Sequence, residues 1–100
     1  MRSQFVSGKS VNYHVEFDKS AERDFYKLPR AVQTRLAERF DALESEPRPP
    51  WVAALQGYPH LLKFRVGDYR VIYTVKDRQL LILVVDVGNR KDIYRKYRKK

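Results

Sequence analysis

Three cationic side chains meet in a predicted β-hairpin over residues 63–73 (KFRVGDYRVIY). Residues 67–68 (GD) form its two-residue loop, with glycine at the position where a type II′ turn needs a positive φ. Folding the strands back on this loop places Arg65 opposite Arg70, and strand alternation puts Lys63 on the same face. Like charges directly opposite each other across a sheet are destabilising. The pattern therefore predicts a site for an anion rather than a structural device.

A second pair of candidate functional residues lies near the carboxyl end. Arg90 and Tyr94 are four residues apart on a predicted closing helix, so they share a face. Arg90 falls in the first turn, where the helix dipole favours anions and disfavours a cation. Because this helix directly follows the predicted strand at 80–87, it can bring both side chains to the rim of the cationic hairpin face.

A purely structural interpretation of these residues stays open. The hairpin cations can form a solvated face, and Tyr94 can simply pack on the sheet. Arg90 can make a surface salt bridge with Asp92 or Asp86. Trp51 follows two prolines and is interpreted as a loop anchor rather than as a base-stacking residue.

Four cations and one phenol around a shared space suit a phosphodiester of RNA. RNA carries its own nucleophile, because the 2′-hydroxyl can attack the adjacent phosphorus and leave a 2′,3′-cyclic phosphate and a 5′-hydroxyl. The protein then has to hold the in-line geometry and stabilise the added negative charge. Neighbouring cations also lower the proton affinity of Lys63 and Tyr94, which moves either one towards use as a base.

The charge distribution supports a polyanionic partner. The chain of 100 residues has a net charge of +9, and residues 60–100 contribute +8 of it. A basic tail should add non-specific attraction to RNA, through residues that include Arg95, Lys96 and Arg98. The chain has no cysteine, which excludes disulfides and thiolate chemistry and fits a reducing cytoplasm.

Other chemical centres are not indicated. The four glycines are dispersed, so no glycine-rich phosphate loop exists, and the two histidines do not have metal-ligand spacing. The carboxylates are scattered, so we expect no metal and no small-molecule cofactor. The longest apolar run, at 80–85, is too short to cross a bilayer, so no membrane association is expected.

The elements that must position these groups predict one α+β domain. In chain order they are a strand at 11–17, a short helix capped by Asp18 or Ser20, a second helix from Pro29 to the proline-rich segment 46–50, a loop at 51–60, strands at 61–66, 69–75 and 80–87, and a short closing helix from about 90 that Asn89 can cap. We expect a mostly antiparallel four-stranded sheet with the helical hairpin on one face and the cations on the other. Residues 1–10 should be a flexible extension to a single domain at 11–100.

These segments resemble the RelE/ParE toxin superfamily. The resemblance covers about residues 12–97, and its motifs are Leu55-Gln56-Gly57, the hairpin 63–73, the run 87–94 (VGNRKDIY) and the opening segment 15–36. It implies a microbial-ribonuclease-like fold and a toxin that cleaves mRNA in the 30S A site of the ribosome. It also implies a RelB-type antitoxin as partner.

The resemblance further implies roles for single residues. Lys63, Arg70, Arg90 and Tyr94 fall on the functional positions of RelE-like members, a set that ParE-like gyrase poisons generally lack. Arg70 and Lys63 would hold the scissile phosphate, and Arg65 would contact the RNA backbone. Arg90 would steady or protonate the leaving 5′-oxygen, while Tyr94 would stack on the base or take the 2′-proton. Arg65 stands where some members have lysine and cannot act as a base.

Three functions remain open at this point. The first is a ribosome-dependent mRNA endonuclease, and the second is a ParE-like inhibitor of DNA gyrase. The third is a non-catalytic basic domain that binds RNA or ribosomes.

Overall fold

The computed structural model describes residues 12–89, in which two helices pack on one face of a five-stranded sheet. The elements are β1 (His14–Phe17), α1 (Lys19–Tyr26), α2 (Arg30–Ser45), β2 (Ala53–Leu55), β3 (Tyr58–Val66), β4 (Tyr69–Lys76), a single 3-10 turn (Asp77–Gln79) and β5 (Leu81–Asn89). The strand order is β1-β5-β4-β3-β2. Only β1 and β5 run parallel, and the other neighbouring strands are antiparallel. The predicted α+β class and mostly antiparallel sheet are confirmed.

The prediction of four strands was wrong, because the predicted loop at 51–60 contains β2 and the start of β3. The turn lies at Gln56 and Gly57, where Gly57 has a φ of +85°. The register between β2 and β3 is irregular after Ala54, and Pro59 falls in this irregular part. Proline is tolerated at such a position because the regular hydrogen-bond ladder is interrupted there.

Several element ends also differ from the predicted ones. β1 begins three residues later, at His14, while β4 continues to Lys76 and β5 continues to Asn89. Asn89 pairs with Tyr69 as the last described residue of β5. The expected extension at 1–10 and the expected closing helix from about residue 90 lie outside the described residues.

The local sequence explains where both helices begin. Asp18 caps α1, since its Oδ1 accepts a hydrogen bond of 3.1 Å from the backbone N–H of Ala21. Pro29 lies just before α2, and its carbonyl accepts hydrogen bonds from the backbone N–H groups of Val32 and Gln33. α2 ends at Ser45, ahead of the proline-rich segment. No helix within residues 12–89 is long and apolar enough to span a membrane.

The hydrophobic core lies between the helical hairpin and one face of the sheet. Apolar side chains spaced along α1 and α2 supply its upper layer, with Ala21, Phe25, Leu36, Phe40 and Leu43 buried. The sheet supplies its lower layer, with Phe64, Val66, Val71, Tyr73, Ile82, Val84 and Val87 buried. The opposite face of the hairpin is therefore available for the cations.

A polar network ties the chain together at the far end of β4 from the hairpin turn. Asp77 accepts two hydrogen bonds from Arg48, at 3.2 and 2.9 Å, and one of 2.8 Å from the hydroxyl of Tyr13. The hydrogen bonds from Arg48 and then from Tyr13 hold the pKa of Asp77 below its usual value. This carboxylate, on the turn before β5, thus joins the residue that precedes β1 to the segment after α2.

We expect Asp77→Asn to lower the melting temperature at neutral pH. Because folding depresses the pKa of Asp77, its contribution is present above the unfolded value of 3.8 and is lost as the pH falls through the lower folded value. The difference from wild type should therefore shrink in strong acid. Thermal melts across this pH range measure it, with Asp41→Asn on the exposed face of α2 as control. A pH-independent difference would contradict the assignment.

Candidate nucleic-acid interface

The β3–β4 hairpin has the register that the sequence predicts. Its pairs include Val66 with Tyr69 and Arg65 with Arg70. Gly67 has a φ of +60°, and Asp68 has no positive φ, as a type II′ turn requires. The two arginines are thus directly opposite each other on neighbouring strands, with their side chains on the same face of the sheet.

A pocket of about 250 Å³ opens beside this pair of arginines. Its lining residues are Trp51, Ala53, Lys63, Phe64, Arg65 and Arg70. The pocket lies at the edge of the sheet. The edge strand β2 begins at Ala53, opposite Lys63, so the part of β3 that follows Lys63 has no β2 neighbour. The structure therefore brings the three predicted hairpin cations to one pocket.

The three cations differ in their exposure to solvent. Arg65 is exposed and Lys63 is half-buried, whereas Arg70 is only 7% exposed. A buried guanidinium is costly unless charged or hydrogen-bonding partners surround it, so Arg70 is not part of a solvated face. A guanidinium fixed at the inner wall of a pocket can present a planar pair of N–H donors to a phosphate.

A buried carboxylate accompanies Arg70 on this face of the sheet. Asp86 is 5% exposed and pairs with Ile72, while Gly88 pairs with Arg70, so Asp86 and Arg70 are diagonal neighbours. A register shift next to Ile72 lets β5 turn Asp86 away from the helices. In the sequence, Asp86 is interpreted only as a salt-bridge partner for Arg90. The feature of the sequence that could have indicated its burial is that Asp86 is the one charged residue in the otherwise apolar run 80–87.

Trp51 is a lining residue of the pocket that the sequence did not predict. Its ring meets Phe64 edge-on with the ring centroids 5.3 Å apart, and the guanidinium carbon of Arg39 lies 4.9 Å from its centroid. These contacts agree with a loop anchor, yet the indole also forms one wall of the pocket. Its place beside the cations depends on long-range contacts that no local pattern reveals.

The remaining predicted site residues lie outside the described residues. They are Arg90, Tyr94, Arg95, Lys96 and Arg98. Among residues 12–89, no group of three or more His, Cys, Asp or Glu side chains is placed to hold a metal ion.

The opposed arginines allow a test of function against stability. We expect Arg65→Thr to stabilise the fold by about 0.2–1 kcal/mol, since it removes a like charge from a directly opposite pair. The same change should weaken RNA binding. Chemical denaturation and RNA binding at fixed salt measure the two effects. Arg78→Thr is the matched control, because it removes the same charge from an exposed position on the 3-10 turn. Stabilisation by both variants would show that net charge, rather than the pair, is responsible.

Comparisons with known proteins identify the family. The family model described as "ParE toxin of type II toxin-antitoxin system, parDE" matches residues 15–94. The mRNA interferase toxin RelE of Escherichia coli K12 is 32% identical over 83 residues, covering 78% of this chain and 83% of the relative. Toxin RelG of Mycobacterium tuberculosis is 31% identical over 85 residues, covering 84% and 98%.

A solved structure agrees with these matches. The archaeal RelE–RelB complex from Pyrococcus horikoshii OT3 matches with a TM-score of 0.70 and 34% identity, covering 80% of this chain and 97% of that chain. The sequence matches, this structural similarity and the fold described above agree with one another. The chain therefore belongs to the RelE/ParE superfamily of type II toxins and is a RelE-like member of it.

Proposed function

We propose that this RelE-like toxin is a ribosome-dependent endoribonuclease that cleaves mRNA in the 30S A site. The observation that carries the proposal is the buried Arg70, which shares a pocket with Lys63 and Arg65. Two curated relatives with 32% identity are named as mRNA interferases. A cationic pocket with one buried guanidinium is the kind of site that a phosphodiester substrate needs.

The reaction we propose is an in-line attack by the 2′-hydroxyl of the substrate. The 2′-oxygen forms a bond to phosphorus and loses its proton, while the bond to the 5′-oxygen breaks and that oxygen gains a proton. Arg70 and Lys63 hold the non-bridging oxygens, where negative charge increases in the transition state. Arg65, at the exposed rim, contacts the neighbouring backbone phosphate. In this proposal no metal ion and no other cofactor take part.

Proton transfer is assigned by the family resemblance rather than by geometry. Arg90 steadies or protonates the leaving 5′-oxygen, and Tyr94 stacks on a base or accepts the 2′-proton. Lys63, which lines the pocket, is the second candidate for the base. Arg95, Lys96 and Arg98 add attraction to RNA through their charge.

We infer that a RelB-like antitoxin is the protein partner that restrains this activity. RelE–RelB complexes from Pyrococcus horikoshii and Escherichia coli are among the similar structures, with 34% and 28% identity. The excess positive charge of the toxin favours an acidic segment in such a partner. Its place of action is the cytoplasm, where translated mRNA is found.

Mapping the mRNA ends produced in a cell-free translation reaction tests this function. The expected result is cleavage in phase with the codons, with a 2′,3′-cyclic phosphate on one fragment and a 5′-hydroxyl on the other. A 2′-deoxy nucleotide at the scissile position should block cleavage. Ends with a 3′-hydroxyl and a 5′-phosphate would indicate attack by water and would contradict the mechanism.

Inhibition of DNA gyrase is the second candidate function. The matching family model is described by the name ParE, and the family resemblance associates ParE-like members with gyrase. A supercoiling assay with purified gyrase separates the two functions. Lost supercoiling with intact transcripts would favour the gyrase function. RNA binding that weakens steeply with salt and yields no cyclic ends would instead leave a non-catalytic binding domain.

A further inference from the structure

The lining of the pocket combines two kinds of side chain. Lys63, Arg65 and Arg70 are cationic, and Trp51, Ala53 and Phe64 are uncharged. A nucleotide has the same division, because its phosphate is anionic while its base is flat and largely uncharged. Cations track the backbone and aromatic rings contact bases in proteins that bind single-stranded nucleic acid.

The indole of Trp51 is held in place before any ligand arrives. Arg39 on α2 lies 4.9 Å from its centroid on one side, and Phe64 meets it at an interplanar angle of 88°. Pro49 and Val52 close a turn around it through a backbone hydrogen bond of 3.2 Å. An aromatic side chain fixed in this way loses little conformational entropy when a ligand binds.

The exposure of Trp51 distinguishes it from the aromatic residues of the core. It is 38% exposed, whereas Phe64 is 4% and Phe40 is 7% exposed. Ring packing alone therefore leaves a large part of the indole uncovered, and the indole lines the pocket that holds Lys63 and Arg70. The cations next to the indole favour a ligand that carries a negative charge beside its flat ring, as a nucleotide does, over an uncharged apolar ligand.

We propose that Trp51 is a specificity-determining residue of this site. Its indole contacts the base of the nucleotide whose phosphate lies on Lys63 and Arg70. The substrate in this inference, single-stranded mRNA, rests on the proposed function. Purines present a larger ring surface than pyrimidines, so cleavage should favour a purine at the position that Trp51 contacts.

The contact between Trp51 and the base is tested by a double-mutant cycle, in which the base, the indole side chain, or both are removed. Ribosome-bound mRNAs are prepared in which each nucleotide of the A-site codon in turn lacks its base but keeps its ribose and phosphate. Wild type should lose about tenfold in cleavage rate at one of the three positions through the loss of the contact to Trp51. Trp51→Ala should show no further loss at that position and an unchanged loss at the other two. Trp51→Phe should be intermediate.

The pattern across the three positions separates a base contact from a folding defect. A variant that folds poorly loses activity on every mRNA by the same factor, which leaves the relative losses unchanged. Tyr26→Ala is the matched control, because it removes a more exposed aromatic side chain on α1, 65% exposed, from outside the pocket. If Trp51→Ala and wild type respond equally at all three positions, the inference is wrong while the proposed function stands.

If wild type cleaves none of the mRNAs, the proposed function fails and fluorescence decides the inference. Trp51 is the single tryptophan of the chain, so its emission reports directly on the pocket. A three-nucleotide RNA should quench this emission, and the same oligomer without bases should bind through its phosphates without quenching. Equal responses to the two oligomers, or no response to either, would overturn the base contact.

Discussion

Arg70→Ala should lower the rate of mRNA cleavage on ribosomes by about 100- to 1,000-fold, the usual cost of removing one preorganised donor from the charge that forms in a transition state. Arg70 is the most buried of the three pocket cations and lies directly across the hairpin from Arg65. Its guanidinium therefore acts where water screens charge least. Single-turnover cleavage with saturating toxin measures this loss without a contribution from binding.

Two further variants separate the effect of Arg70 from charge and from folding. Arg70→Lys keeps the charge but loses the planar pair of donors, so it should recover only part of the rate. Arg78→Ala removes a charge from the exposed 3-10 turn and should leave the rate near that of wild type. Circular dichroism checks that each variant is folded. The loss expected for such a donor is far greater than about threefold. A folded Arg70→Ala protein whose cleavage rate stays within about threefold of wild type would therefore contradict the proposed role.

Phe40→Ala should destabilise the fold by about 3–5 kcal/mol, the range for removing a buried phenylalanine side chain. Phe40 is the buried aromatic residue of α2, and its ring meets rings from three other elements. Its centroid lies 5.3 Å from Phe17 on β1, 6.0 Å from Phe25 on α1 and 6.2 Å from Phe64 on β3. Chemical denaturation followed by circular dichroism gives the change in unfolding free energy.

Phe40→Leu is the matched control, because it keeps most of the buried volume and loses only the ring contacts. It should cost much less than Phe40→Ala. The alanine variant should also lose cleavage activity at temperatures where it is still folded. Phe64 packs against both Phe40 and Trp51, so a shift of Phe64 into the cavity would displace Trp51 in the pocket. A loss of stability below about 1 kcal/mol would contradict this prediction, because it lies below the usual range for a buried phenylalanine. It would mean that the surrounding residues collapse to fill the cavity.

Features that depend on neighbouring residues were predictable from the sequence. The hairpin register follows from a glycine at the turn and alternation on both sides, so the opposition of Arg65 and Arg70 could be derived correctly. The cap at Asp18 follows from an equally local rule, the preference for aspartate just before the first turn of a helix. The side chains in these patterns are close in the chain, and their geometry leaves few alternatives.

Features that depend on distant segments were not predictable in this way. β2 is three residues long, Ala-Ala-Leu, and has no alternation that would mark it as a strand. It forms because β3 offers a free edge. The burial of Asp86 depends on a register shift against β4, and Trp51 reaches the pocket through Arg39 and Phe64. Such contacts require the three-dimensional path of the chain.

The position of β5 has a consequence for how the toxin matures during its own synthesis. Among the five strands of residues 12–89, β5 is the last in chain order, yet it lies between β1 and β4 and pairs with both. A nascent chain that has not yet released residues 81–89 from the ribosome lacks the strand that joins its two halves. Domains whose contacts span most of their length acquire structure late. The protein thus emerges as an incomplete sheet, and the sheet is completed only after residues 81–89 have left the ribosome.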